Sequence, residues 1–161
     1  MCDRARPYAV HITLLLPDEV RVLGACPPYL YLLIPWHFHE DGGRYQSASI
    51  IVAQYSGVRN LSIHRQLLRD GNHTVARLVP RHLRTISTEA AEAGDDVPIA
   101  VVNGPDPTVL LAAAMSFSDY VDELTVASSL HMRLHGSPLK VVILPNGVMV
   151  PADAELSLIH I

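Results

Sequence analysis

Residues 57–83, GVRNLSIHRQLLRDGNHTVARLVPRHL, set the tightest limits on how this chain can fold. β-type residues run through the first half, Asp70-Gly71-Asn72 reads as a turn, and residues 73–78 read as the returning strand. Pro80 suits the first position of a helix, which Gly94 would stop after Ala93. Strand geometry then decides which polar residues can work together. On a regular strand Asn60, Ser62 and His64 share one face, and Leu61, Ile63 and Arg65 share the other. Asn60 and Arg65 can serve one site only where the strand bends or bulges. An exposed edge strand carrying ordinary polar residues accounts for the same pattern.

The flanking chain reads as short strands and helices. Residues 9–16 (AVHITLLL) form a strand, with a turn at Pro17-Asp18 and a return over residues 20–23. Cys26-Pro27-Pro28 breaks the pattern before an apolar run at residues 29–34. Residues 37–45, HFHEDGGRY, make a polar loop whose Gly42-Gly43 lets backbone come close to a ligand. His37 and His39 would face one side of a strand as a possible metal pair, although so short a motif is common. Strands follow at residues 47–55 and 98–102. Asp106 and Pro107 cap and open a small apolar helix ending near Met115, against which another element should pack closely. A third helix starts at Ser118 or Asp119, with Asp122 and Glu123 in its first turn. A strand at residues 139–144, a turn at residues 145–147 and a strand at residues 148–150 complete the reading.

Bulk properties exclude some classes. The 161 residues amount to one domain or part of a larger one, and 49% hydrophobic residues suffice for a core. A net charge of −4 argues against a general nucleic-acid binder, but a few local arginines can still hold a small anion. Cys2 and Cys26 set up neither a disulfide framework nor a metal knuckle, so a reduced, cytoplasmic setting is expected. The opening MCDRARPYAV does not read as a signal peptide, and no apolar run approaches the ~20 residues of a membrane span. The motifs GxGxxG, GxxxxGK[ST], HExxH and GxSxG are missing, and the short segments give no regular βαβαβ run.

Two helix starts carry chemistry. His82, with Arg81 beside it, lies in a first turn where amides and dipole favour an anion such as phosphate. Glu123 either complements a helix dipole or ligates a metal.

Several stretches together resemble the UbiD family of decarboxylases. They are DGGRY at residues 41–45, Asn-x-Ser-Ile-x-Arg at residues 60–65, Pro-x-His at residues 80–82, VPIAVVNGPDP at residues 97–107, Val-Asp-Glu at residues 121–123, and VPADAE at residues 150–155. They stand in the family's order at compatible spacing. The resemblance implies an α+β fold: a split β-barrel of the flavin-reductase-like, FMN-binding kind, with flanking helices. It implies residues 1–33 as a divergent lead-in and residues 34–161 as a truncated central domain that binds prenylated FMN.

Site roles follow from the resemblance position by position. Asn60, His82 and Glu123 match the ligands of a divalent metal, Mn²⁺ or Mg²⁺, that ties the flavin phosphate to the protein; K⁺ accompanies it. Two oxygen donors and an imidazole suit such an ion. Ser62, Ile63, His64, Arg65, Arg81, His82, Met115 and Glu123 match positions around the cofactor. Arg65 matches the catalytic arginine, whose planar fork would hold the substrate carboxylate. The implied activity is a carboxy-lyase acting on aromatic or α,β-unsaturated acids, with the flavin as electron sink. A flavin prenyltransferase would supply the cofactor, and full-length relatives are expected to be homo-oligomers. The family's acidic catalytic segment, Glu-Gly-Pro-x-Gly-Glu/Asp, is expected beyond residue 161, and Glu155 does not take that role. The chain is therefore expected to be a fragment, inactive alone. A non-catalytic flavin- or phosphate-binding module and an inert fragment are the rival readings.

Overall fold

The run AVHITLLL does not stay one strand: β1 (Ala9–His11) joins one sheet and β2 (Thr13–Leu16) another. The computed structural model describes residues 9–11, 13–16, 19–23, 34–70, 73–118, 121–154 and 156–159. Both cysteines, Pro17-Asp18, residues 29–33, Gly71-Asn72, Asp119 and Glu155 lie outside the described residues. After β2 come β3 (Glu19–Leu23), β4 (Tyr45–Gln46), β5 (Ile50–Tyr55) and β6 (Val58–Ile63). Next are β7 (Gln66–Asp70), β8 (His73–Ala76), α1 (His82–Ala93) and β9 (Ile99–Asn103). Helices α2 (Pro107–Ala114) and α3 (Glu123–His135) precede β10 (Val141–Ile143), β11 (Met149–Pro151) and β12 (Leu156–Ile159). Residues 37–44 form a loop.

The described residues form three sheets, in orders β1-β8-β7-β4, β10-β11 and β3-β2-β12-β9-β5-β6. All described pairings are antiparallel. Residues 57–70 likewise divide, because the chain leaves the six-stranded sheet after Ile63 and enters the four-stranded one at Gln66. Before that break the alternation is regular. Ser56 and Gly57 both hold positive φ, 50° and 80°, the two-residue turn that matches strand twist. It fixes the register Val52↔Leu61 and Ala53↔Asn60.

That register sorts the side chains into two cores. On one face Val52, Leu61 and Val102 pack on Val109 and Ala112 of α2 and Leu124 and Ala127 of α3. The alanines allow the close helix approach that the apolar stretch LLAAAM leads one to expect. On the other face Ile51, Ala53 and Val101 pack with Leu83 of α1, Leu68 and Ile34. Strand β6 ends the sheet, so helices covering opposite faces come near each other around its edge.

Helix starts differ from the sequence expectation. α1 begins at His82 with Arg81 as its N-cap, so Pro80 lies outside the helix. Asp106 does cap α2, with Pro107 as its first residue. α3 begins at Glu123, later than Ser118 or Asp119, because the Asp122 carboxylate accepts from the Leu124 amide and ends the preceding extended segment. Gly94 and Gly136 stop α1 and α3 in the left-handed conformation. Replacing Gly94, at φ 81°, by alanine should cost about 1 kcal/mol in urea unfolding.

Candidate functional site

At the outer edge of β6, backbone N–H groups have no further strand to pair with among the described residues. One of them is met by a side chain: the Leu61 amide donates to Glu123 Oε2 at 3.1 Å. The other carboxylate oxygen accepts from Asn60 Nδ2 at 3.0 Å, and the Asn60 Oδ1 accepts from the Ser62 hydroxyl at 3.1 Å. His82, at the start of α1, brings Nδ1 to 4.0 Å from Glu123 Oε1. Asn60 and Glu123 are only 5% and 3% exposed, so these contacts lie out of bulk water. An amide, an imidazole and a carboxylate from three separate elements thus share one pocket.

The pocket is a cleft of about 930 Å³. Residues 60–64 form one wall, residues 79–83 with Thr85 another, and residues 113–117 a third, with Glu123 at the base. Ser62, Ile63, His64, Arg81 and Met115 all line it. The Arg81 guanidinium spans from α1 to the segment after α2, donating to Ser116 Oγ at 2.7 Å. The N-cap residue of α1, Arg81, makes no side-chain capping hydrogen bond. Arg65 falls elsewhere: it follows the strand break, is exposed, and holds its guanidinium carbon 5.6 Å from the centre of the Tyr45 ring. It is not among the residues lining the cleft. His37 and His39 lie in an exposed loop apart from it.

The donor set fits a hard divalent cation. Bonds of about 2.1 Å put octahedral ligand atoms roughly 3.0 Å apart when adjacent and roughly 4.2 Å when opposite. The Asn60–Glu123 and His82–Glu123 separations, 3.0 and 4.0 Å, lie close to those values. Asn60 would have to turn its amide over to present oxygen to the ion.

A neighbouring ion pair holds Glu123 in place. Arg59 Nε donates to Asp122 Oδ1 at 3.0 Å and a second guanidinium nitrogen donates to Oδ2, while a third lies 3.3 Å from the Met149 sulfur. Burial opposes ionisation of Asp122 most strongly, but bonds from Arg59, Thr125 and Leu124 outweigh it and hold its pKa low. Sequence reading missed this latch, because nothing local links residues 63 apart. It also missed Thr85, Ser116 and Phe117. Arg59→Ala should lower stability by about 1–2 kcal/mol, measured by urea unfolding.

His64 is buried, and its Nδ1 lies 3.3 Å from the Arg77 carbonyl. Burial pushes its pKa below 6.5, against a smaller raising effect of that hydrogen bond. The unfolded chain therefore binds a proton first on acidification. The stability contribution is full above about pH 6.5 and is lost as pH falls from there toward the folded pKa. A wild-type minus His64→Gln difference curve of unfolding free energy should slope upward with pH just below that value; a flat difference would count against it.

Sheets, helices and cleft define a mixed α/β chain whose cleft gathers an amide, an imidazole and a carboxylate at the edge of a strand. Comparison with known proteins names the class. The family model of the UbiD 3-octaprenyl-4-hydroxybenzoate carboxy-lyase Rift-related domain matches residues 26–159. The chain belongs to the UbiD family. It is 40% identical over 116 residues to an anhydromevalonate phosphate decarboxylase of Methanosarcina mazei, covering 71% of this chain and 26% of that one. The fold is similar to the UbiD-class enzyme HmfF from Pelotomaculum thermopropionicum in complex with FMN, with TM-score 0.71 and 38% identity over 77% of this chain and 28% of that one. An evolved dimeric form of that enzyme, in complex with prFMN, matches with TM-score 0.71 and 38% identity over 77% and 29%. The chain spans about a quarter of the length of the curated relatives it matches.

Proposed function

We propose that this chain is the cofactor-holding part of a prenylated-FMN-dependent carboxy-lyase acting on aromatic or α,β-unsaturated carboxylic acids. The observation that carries the reading is the convergence of Asn60, His82 and Glu123 at the base of a cleft large enough for a flavin. These three would hold a divalent ion, Mn²⁺ or Mg²⁺, with K⁺ as companion, and the ion would offset the charge of a flavin phosphate. When bound, the flavin would supply the electron sink for loss of CO₂. Arg81 and the start of α1 would bind the phosphate end. Ser62, Ile63, His64 and Met115 would orient the ring system and keep water from it. Arg65 would hold the substrate carboxylate, which requires its guanidinium to leave Tyr45.

The coarser context agrees. The FMN and prFMN complexes of HmfF are UbiD-class structures of similar fold. The four- and six-stranded sheets, between which the chain passes after β1 and after β6, would form the split barrel. Residues 34–161 would make up the cofactor domain, with residues 1–33 contributing strands to its sheets. A separate flavin prenyltransferase would supply the cofactor, and the complete protein would work as a cytoplasmic homo-oligomer. Among the described residues, no helix is long and apolar enough to cross a membrane.

The position of Arg65 favours a second reading, a flavin-binding module without catalysis. The chain mixed with FMN and Mn²⁺ should keep flavin absorbance through gel filtration, and His82→Ala should lose it. Retention unaffected by His82→Ala would overturn the site. In the complete protein, turnover of cinnamate-like or hydroxybenzoate acids with prenylated FMN, abolished by Arg65→Ala while flavin is retained, separates enzyme from module.

A further inference from the structure

We propose that Asp106, His131 and His135 form a second divalent-metal site, suited to Zn²⁺, at the end of the α2–α3 pair away from the cleft. Each offers one ligand atom, and these atoms all lie within 4.8 Å of one another. His131 and His135 stand one turn apart on α3, and their rings are 4.5 Å apart. Asp106 caps α2, and its two oxygens divide the work. Oδ1 accepts from the Thr108 amide at 2.8 Å and the Thr108 hydroxyl at 2.5 Å, while Oδ2 lies 3.3 Å from His135 Nε2.

Two further observations point to a ligand set. His131 Nδ1 lies 2.7 Å from the Ser137 carbonyl, which can only accept. In the neutral ring Nδ1 then carries the proton, and the lone pair is on Nε2. A ligating histidine is commonly oriented in this way by a backbone carbonyl on its other nitrogen. Tetrahedral zinc bonds of about 2.0–2.1 Å place ligand atoms roughly 3.3 Å apart. The Asp106–His135 pair stands at that spacing now, and a ring nitrogen of His131 lies within 4.8 Å of both. Two imidazoles and one carboxylate suit zinc better than calcium or magnesium. The His135 side chain is 49% exposed, which leaves room for a water as fourth ligand.

The site would tie the start of α2 to the end of α3. The opposite ends of the same helices carry Met115 and Glu123, roughly 12 Å away for a helix of eight residues. Bound metal would thus brace the helix pair that shapes the cleft without entering it.

The test uses the full chain as Glu123→Gln, so that the cleft does not compete for metal. Equilibrium dialysis with Zn²⁺ should show one equivalent bound, and Co²⁺ should give the visible absorption of a tetrahedral site. Asp106→Asn, which keeps a good helix cap, should weaken Zn²⁺ binding at least tenfold, and so should His135→Ala. The double variant His131→Ala/His135→Ala should abolish the Co²⁺ spectrum with unchanged circular dichroism. No bound Zn²⁺ in the Glu123→Gln chain, or an unaltered Co²⁺ spectrum in the double variant, overturns the proposal.

Discussion

Glu123→Gln should weaken Mn²⁺-dependent retention of FMN by about a hundredfold or more while leaving the chain folded. The substitution keeps shape and one acceptor oxygen, so the Leu61 amide or the Asn60 amide can still be answered. What it removes is the one formal negative charge among the three donors meeting at the cleft base. A hard cation held by an amide, an imidazole and a neutral amide loses its main electrostatic anchor. Glu123→Ala would mix two effects, because buried donors on Asn60 and Leu61 would lose their acceptor at about 1–3 kcal/mol each. The glutamine variant is therefore the informative one. Equilibrium dialysis of FMN across a Mn²⁺ series gives the measurement. An identical Mn²⁺ dependence in wild type and Glu123→Gln would remove Glu123 from the proposed ligand set.

The site owes its position to an unfinished sheet. Among the described residues strand β6 has a neighbour on one side only, so its outer backbone is open to ligands or side chains. α1 covers one face and α2 with α3 the other, and they converge beyond that edge. Asn60 points to the α1 side, as its pairing with Ala53 requires, and there it stands near His82. Glu123 arrives from the opposite layer and reaches the strand from its edge. The Arg59–Asp122 pair fixes that approach by binding β6 to the residue just before Glu123.

Local rules explain what was legible in the sequence. Asp106-Pro107 and Gly94 name their helix ends, because a cap and a left-handed stop are set by the residue itself. The alternation over residues 58–63 gives the faces of β6 correctly. The start of α3 was less legible: Ser118 and Asp122 are both good caps, and the contact of Asp122 with Arg59 is tertiary. Nor could the pattern AVHITLLL show that its halves pair with β8 and β12, since strand propensity does not name a partner. Asn60, His82 and Glu123 came together in the sequence reading only through family resemblance. Period and spacing say nothing about contact between segments 63 residues apart. For Arg65 the resemblance names a role but no position, since conformation after the strand break decides where its guanidinium points.

Leu61→Ala should destabilise the chain by about 2–5 kcal/mol, whereas Ile63→Ala, two residues on, should cost under about 1 kcal/mol. Both side chains leave the same face of β6. Leu61 is 1% exposed and packs in the core with Val52, Val109 and Leu124, while Ile63 is 37% exposed at the cleft. Removing the buried side chain loses its transfer free energy and leaves a cavity between sheet and helices that the close α2–α3 packing cannot collapse to fill. The effect should extend to function, because the Leu61 amide holds the Glu123 carboxylate and the Leu61 side chain sets the distance from β6 to α3. Leu61→Ala is therefore expected to lower both the urea midpoint and Mn²⁺-dependent flavin affinity, and Ile63→Ala to lower flavin affinity alone. Equal stability losses at the two positions would mean that α2 and α3 do not press on this strand as the structure places them.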